Sequence, residues 1–157
     1  SSFGMRMMVD DVVASEKLAI QKGEVKFDVD MAKDMQVTAD AEQIFRVLSN
    51  LIRNARQAIE ATRKPGRITI VAVEEPEAWL INVSDTGPGL PEKAVQHLFD
   101  PFEGGVRIGG SGLGLAIAAE LVRGHKGSLE LTESNKSGTV FTICLPKPAE
   151  SLISISA

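Results

Sequence analysis

The stretch from Asp40 to Thr62 sets the terms on which this chain can fold. Ile44, Val47, Leu48, Leu51, Ile52, Ala55 and Ile59 recur at spacings of three and four, which places them on one broad face of an α-helix. Asp40 stands where an N-cap carboxylate accepts from the first-turn amides, and Gln43, three residues on, is placed to reach back and complete a capping box. Pro65-Gly66 stops the helix. An apolar face this wide has to be covered by a second layer. Along its edge Arg46, Asn50, Asn54 and Gln57 form a polar stripe.

The rest of the chain supplies the cover. Residues 6–22 read as a helix with Met8, Val9, Val12, Val13 and Leu18 as its apolar set and Gly23 as its C-cap. Val25, Phe27 and Val29 alternate with Lys26, Asp28 and Asp30, the pattern of a half-buried strand. Arg67–Val73 and Trp79–Val83 read as strands joined by a hairpin over residues 74–77. Lys93–Leu98 reads as a short helix, and a further helix runs to about Arg123 after a glycine-rich stretch from Glu103 to Gly114. Ser128–Glu133 and Thr139–Leu145 read as the last two strands. The fold class is α+β: a two-layer sandwich with a largely antiparallel sheet and helices on one face. The domain is expected over residues 1–147, with 1–9 as linker and 148–157 as a tail that is disordered or adds an edge strand.

Charge narrows the function classes. With 17 Lys and Arg against 21 Asp and Glu, the net charge of −4 gives no bulk attraction to nucleic acid, and no nucleic-acid partner is expected. No apolar run approaches the roughly 18 residues of a membrane span. Cys144 lies in the apolar run Val-Phe-Thr-Ile-Cys-Leu and reads as a buried core thiol in a reducing compartment. No secretory leader is visible and the first Met is residue 5, so a piece of a longer protein is expected. Phe3, Met5, Met7 and Met8 then pack either on a missing neighbour or on their own sheet.

Three constellations carry chemistry. Asn50 and Asn54 present amides one helical turn apart, and an amide oxygen is a suitable ligand for Mg²⁺, which keeps waters and substrate phosphates in its shell; Asn54 is the candidate. Asp85-Thr86-Gly87-Pro88-Gly89 closes a strand with an acceptor-only carboxylate, which can receive the amino group of adenine and reject guanine, while the glycines admit the ring. In the glycine-rich stretch, Gly110, Gly112 and Gly114 lead into a helix N-terminus, whose free N–H groups favour phosphate, and Arg107 can add a side-chain contact. There is no G-K-[ST], and the glycine spacing lacks the strand and acidic residue of a dinucleotide site. His97 and His125 lack the partners of a nucleophile or metal site and read as structural or solvated.

In this order the segments resemble the catalytic ATP-binding domain of the sensor histidine kinases of two-component signalling. Asn50-Leu-Ile-Arg-Asn54-Ala resembles the N box, Asp85-Thr-Gly-Pro-Gly89 the G1 box, Phe99-Asp-Pro-Phe102 the F box and Gly110-Ser-Gly-Leu-Gly-Leu115 the G2 box. Gly138-Thr139-Val-Phe141 resembles the terminal strand that returns to the adenine pocket. The resemblance spans roughly residues 10 to 147 and implies the Bergerat ATP-binding fold with a mixed sheet.

Carried onto this chain, the resemblance implies ATP and Mg²⁺ as cofactors. Asp85 would accept from the adenine amino group with Thr139 in support, and Gly87 and Gly89 would shape the base pocket. Asn54 would ligate Mg²⁺ with Asn50 beside it. Gly110, Ser111, Gly112, Leu113, Gly114 and Leu115 would line the phosphates, Arg107 would neutralise charge, and Phe99 and Phe102 would anchor the lid. Gln57 departs from the basic or aromatic residue many members place there, and the lid is short.

In the family the γ-phosphoryl group passes to a histidine on a separate dimerisation and phosphoacceptor domain and then to an aspartate of a response regulator. Neither His97 nor His125 sits in such an acceptor motif, so the isolated chain is expected to bind Mg-ATP and transfer little. The parent is expected to be a homodimer with this domain in the cytoplasm, anchored or not in the inner membrane. Three other readings stand beside this one. ATP-driven clamps share the fold but carry a glutamate where this chain has Asn50, a degenerate docking module would have no use for Asp85, and anti-sigma serine kinases match the N and F boxes less well.

Overall fold

The computed structural model of the chain describes residues 1–20, 23–100 and 113–149. Its elements are β1 (Ser2–Gly4), α1 (Met5–Ala19), β2 (Val25–Asp30), β3 (Gln36–Thr38), α2 (Ala41–Thr62), β4 (Gly66–Glu74) and β5 (Ala78–Asp85). They continue with α3 (Glu92–Val95), α4 (Leu113–Gly124), β6 (Ser128–Asn135) and β7 (Gly138–Pro146). Five strands form one sheet in the order β2-β4-β5-β7-β6, and β1 and β3 form a separate antiparallel pair. Within the larger sheet only β2 and β4 pair in parallel, so the sheet is mixed and mostly antiparallel, as expected.

Alternation along the strands shows where the core lies. In β7, Thr139, Phe141, Ile143 and Leu145 are buried while Val140, Thr142 and Cys144 are only half-buried. Pairing carries the same parity into β5, where Trp79, Ile81, Val83 and Asp85 turn inward. Against this face α2 buries Ile44, Val47, Leu48, Leu51, Ile52, Ala55, Ala58 and Ile59. Each large aliphatic residue among them contributes roughly 1.5–3 kcal/mol by leaving water. The other face of the sheet is mixed, with Val71, Leu80 and Val140 beside a hydrogen-bonded row of Asn82, Thr142 and Thr132.

Parity overturns the expectation for Cys144. It is half-buried, because Ile143 and Leu145 hold the core side and a strand turns successive side chains to opposite faces. Periodicity likewise overturns Leu18. It lies nine residues from the buried Val9, and at about 100° per residue that is the opposite side of α1; Leu18 is 90% exposed, and Glu16 takes the inward position. The helix accordingly ends at Ala19 rather than at residue 22.

The caps of α2 differ from expectation at both ends. Asp40 Oδ1 accepts from Gln43 N at 3.0 Å, as an N-cap should, but the Asp40 N–H donates to His125 Nε2 rather than to the Gln43 side chain. At the other end Arg63, in the left-handed region at φ +60°, terminates the helix ahead of Pro65-Gly66.

The β1–β3 pair was not legible in the sequence. It turns the first residues back onto the body of the domain, with Phe3 opposite Val37. Met5 is fully buried, Phe3 and Met8 pack against the core, and Met7 alone of these four faces solvent. Of the expected tail, 148–157, residues 150–157 lie outside the described residues.

Candidate functional site

Asp85 is the last residue of β5, fixed between Ile68 of β4 and Thr139 of β7. It turns to the buried face and is 6% exposed, and Thr139 beside it is fully buried. Its Oδ1 accepts from Gly87 N at 2.9 Å, so the carboxylate also shapes the turn that follows. A buried carboxylate at a strand end is costly unless satisfied, and the loop backbone provides part of that.

The following glycines serve close approaches. Gly87 packs against Ala58 of α2. Gly89 adopts φ +81°, and a Cβ there would overlap the Asn135 carbonyl oxygen at the end of β6. Gly138 adopts φ +150°, and a Cβ there would overlap the Asp85 carbonyl oxygen. Leu90 N donates to Ser134 Oγ at 2.9 Å. The β6–β7 hairpin is therefore the floor on which the Asp85 loop rests, a role for Ser134 and Asn135 that the sequence did not disclose. Asp85, Thr139, Gly138 and Ser137 line a small cavity of about 130 Å³. A larger one, about 420 Å³, lies by Asp34, Met35 and Glu74 and includes none of the candidate site residues.

The polar stripe on α2 connects this carboxylate to the start of α4. Asn50 Nδ2 donates to the Gly114 carbonyl oxygen at 3.2 Å. One turn on, Asn54 Nδ2 is buried without a hydrogen-bond partner among the described residues. A further turn on, Ala58 meets Gly87. Asn50, Asn54 and Ala58 thus form a line from the N-terminus of α4 to the Asp85 loop. The unsatisfied Nδ2 is a donor and costs about 1–3 kcal/mol in the absence of a partner, so it calls for an acceptor such as a phosphate oxygen. The Oδ1 of the same amide is the atom that would hold a hard cation. Among the described residues no three His, Cys, Asp or Glu side chains gather as a metal cluster.

Phe99 packs edge-on against Phe141, ring centroids 6.2 Å apart, which ties the start of the F-box segment to the core. Leu115 is buried at the head of α4 and Leu113 is partly exposed. Phe102, Arg107, Gly110, Ser111 and Gly112 lie outside the described residues. Gln57 is half-buried on the edge of α2.

A second polar cluster was missed by the sequence reading. Glu16 of α1 is buried and accepts from Arg56 Nε at 2.8 Å, and Arg56 also pairs with Glu60. Burial alone would lower the Arg56 pKa, but its hydrogen bonds to Glu16 and Glu60 and their charges outweigh it and hold the guanidinium above its ordinary value. The signal was available: Glu16 continues the 5, 9, 12 spacing of buried positions in α1.

Comparison with known proteins places the chain among a known family. The family described as histidine kinase-, DNA gyrase B-, and HSP90-like ATPase matches residues 39–149. The sensor histidine kinase WalK of Bacillus subtilis is 37% identical over 125 residues, covering 75% of this chain and 20% of WalK. The chain thus spans a fifth of that relative's length. The catalytic domain of histidine kinase ThkA superposes with a TM-score of 0.75 at 31% identity, covering 94% of this chain and 95% of that one. ThkA solved in complex with response regulator protein TrrA superposes with a TM-score of 0.72 at 29% identity, over 96% of this chain and 42% of that one. Among the described residues no helix is long and apolar enough to cross a membrane.

Proposed function

The chain belongs to the histidine kinase-, DNA gyrase B-, and HSP90-like ATPase family as a catalytic domain of the sensor histidine kinase kind, and from that premise we propose that it binds Mg-ATP and donates the γ-phosphoryl group to a histidine on a separate phosphoacceptor domain of the same kinase. Relay to an aspartate of a response regulator follows, a partnership supported by the ThkA–TrrA complex. The parent acts as a homodimer with this domain in the cytoplasm.

The observation that carries the reading is the line of Asn50, Asn54 and Ala58, with the Asp85 carboxylate at one end and the N-terminus of α4 at the other. Asp85 accepts the exocyclic amino group of adenine, and Thr139 supports it from β7. Gly87 and Gly89 let the loop close on the base. Asn54 supplies the protein ligand for Mg²⁺, with Asn50 adjacent. Mg²⁺ held there would supply positive charge against the phosphates; in the transfer itself the bond to the leaving ADP breaks as the bond to the acceptor imidazole nitrogen forms. Gly110, Ser111, Gly112, Leu113, Gly114 and Leu115 line the phosphates, where the helix terminus favours negative charge. Arg107 adds a cation there, and Phe99 and Phe102 anchor the lid.

Asn50 separates this reading from the ATP-driven clamps. A neutral amide cannot take a proton from water, and here it is engaged with Gly114. Calorimetric titration of the chain with a non-hydrolysable ATP analogue, with and without Mg²⁺, tests the proposal. Metal-dependent binding is expected. Absence of binding favours a docking module, and steady phosphate release from ATP favours the clamp class.

A further inference from the structure

His125 joins two helices end to end. Its Nδ1 lies 2.9 Å from the Leu121 carbonyl oxygen, and its Nε2 lies 3.2 Å from the Asp40 backbone nitrogen. A carbonyl oxygen can only accept and an N–H can only donate. The ring is therefore neutral, with the proton on Nδ1 and the lone pair of Nε2 turned to Asp40. Asp40 is the N-cap of α2, and His125 follows the last residue of α4.

The C-terminal end of α4 is also seated on the sheet. Gly127 N donates to Val122 O at 3.0 Å, and a Cβ at Gly127 would overlap the Cys144 carbonyl oxygen of β7. At the opposite end of α4, Gly114 meets Asn50. The two helices are thus antiparallel and bonded at both ends, over a span of about ten residues or 15 Å. Between these bonds the buried positions of both helices are apolar, Ala118, Ala119 and Val122 on α4 and Val47 and Leu48 on α2. Close packing limits how far the helices can slide, and a hydrogen bond at each end adds a directional constraint on the register.

We infer that His125 is a positioning residue for the nucleotide phosphates: its bond to the Asp40 amide sets where the N-terminus of α4 stands along α2, and so its distance from Asn54. The inference rests on the nucleotide reading above. A slide of α4 moves Gly114 relative to Asn54 but leaves Asp85, which belongs to the sheet, in place. Loss of the bond therefore acts on the phosphate end of the ligand and spares the base end.

Two variants separate the halves of the His125 contact. An asparagine amide reaches the place of Nδ1 and keeps the Leu121 bond, while a glutamine amide reaches the place of Nε2 and keeps an acceptor for Asp40. Calorimetry on the 157-residue chain compares Mg-ADP with adenosine for the wild type, His125→Asn and His125→Gln. His125→Asn is expected to weaken Mg-ADP about fivefold, the affinity equivalent of one ordinary hydrogen bond, with adenosine unchanged. His125→Gln is expected to restore the wild-type ratio. A wild-type ratio in His125→Asn, equal losses for both ligands, or failure of His125→Gln to restore the ratio overturns the inference. So does a His125→Asn chain that no longer folds, since the bond would then hold the fold and not the register. If the wild type binds neither ligand, the nucleotide reading falls, and this inference with it.

Discussion

Ala58 on α2 and Gly87 after β5 meet across the space a side chain at 87 would fill: a Cβ there would stand 3.4 Å from the Ala58 Cβ and 2.9 Å from Asp85 Oδ1. The missing side chain is what lets the carboxylate and the helix close on one another. Gly87→Ala should therefore displace Asp85 and weaken adenosine and the ATP analogue equally, by about tenfold or 1.4 kcal/mol each. Competition binding with both ligands checks it. A loss confined to the phosphorylated ligand would place Gly87 at the wrong end of the cleft.

Asp85→Asn keeps an oxygen acceptor for the Gly87 amide, whose bond is 2.9 Å, so the loop should hold its shape and the thermal midpoint should change little. The new NH₂ faces the adenine amino group, donor against donor. Affinity for adenosine and for ATP should fall by roughly 1–3 kcal/mol or more. Binding at the wild-type level in this variant would mean that the base lodges elsewhere.

Asn54→Ala tests the metal role and has a second signature in the empty protein. Because the Asn54 nitrogen is buried without a partner among the described residues, truncating the side chain removes an unsatisfied group. Thermal stability without ligand should stay level or rise, an unusual result for a cut at a partly buried site. Mg-ATP affinity should fall while adenosine affinity is unchanged. Equal losses for both ligands would speak against a ligand role for this amide.

These variants also mark how much the sequence disclosed. The amphipathic period of α2 was readable because buried positions repeat over 22 residues, and the Asn50–Asn54 edge came with it. The strand-end position of Asp85 followed from alternation along β5 and the glycines behind it. Contacts made by pairing distant segments were not readable. The β1–β3 ladder joins two strands of 3 residues each, too short to show a period, across more than thirty residues of chain. The exchange of Gln43 for His125 at the Asp40 amide depends on where α4 ends in space, which no local pattern encodes. Leu18 and Cys144 depart from expectation for one reason: each is apolar within an apolar run but out of phase with the buried face of its helix or strand.

The Glu16–Arg56 pair allows a last prediction on stability alone. Both side chains are nearly enclosed, 5% and 12% exposed, and their bond is 2.8 Å. Arg53 Nε stands farther off, at 3.9 Å from Glu16, and is half-exposed. Removing either partner leaves a buried charge with weakened compensation, so Arg56→Met and Glu16→Met should each cost about 3–5 kcal/mol in urea unfolding. The double variant restores an apolar contact between α1 and α2 and should lose far less than the sum. Because Arg56 is raised above the ordinary arginine range, its contribution is fully present below that range and fades only as pH climbs through the higher folded value. No pH dependence from Arg56 should appear between pH 6 and 9. Arg56 lies two positions, about 200°, around α2 from Asn54, so folded single variants should bind Mg-ADP as the wild type does. Additive losses in the double variant would show that the pair stabilises nothing beyond its separate side chains.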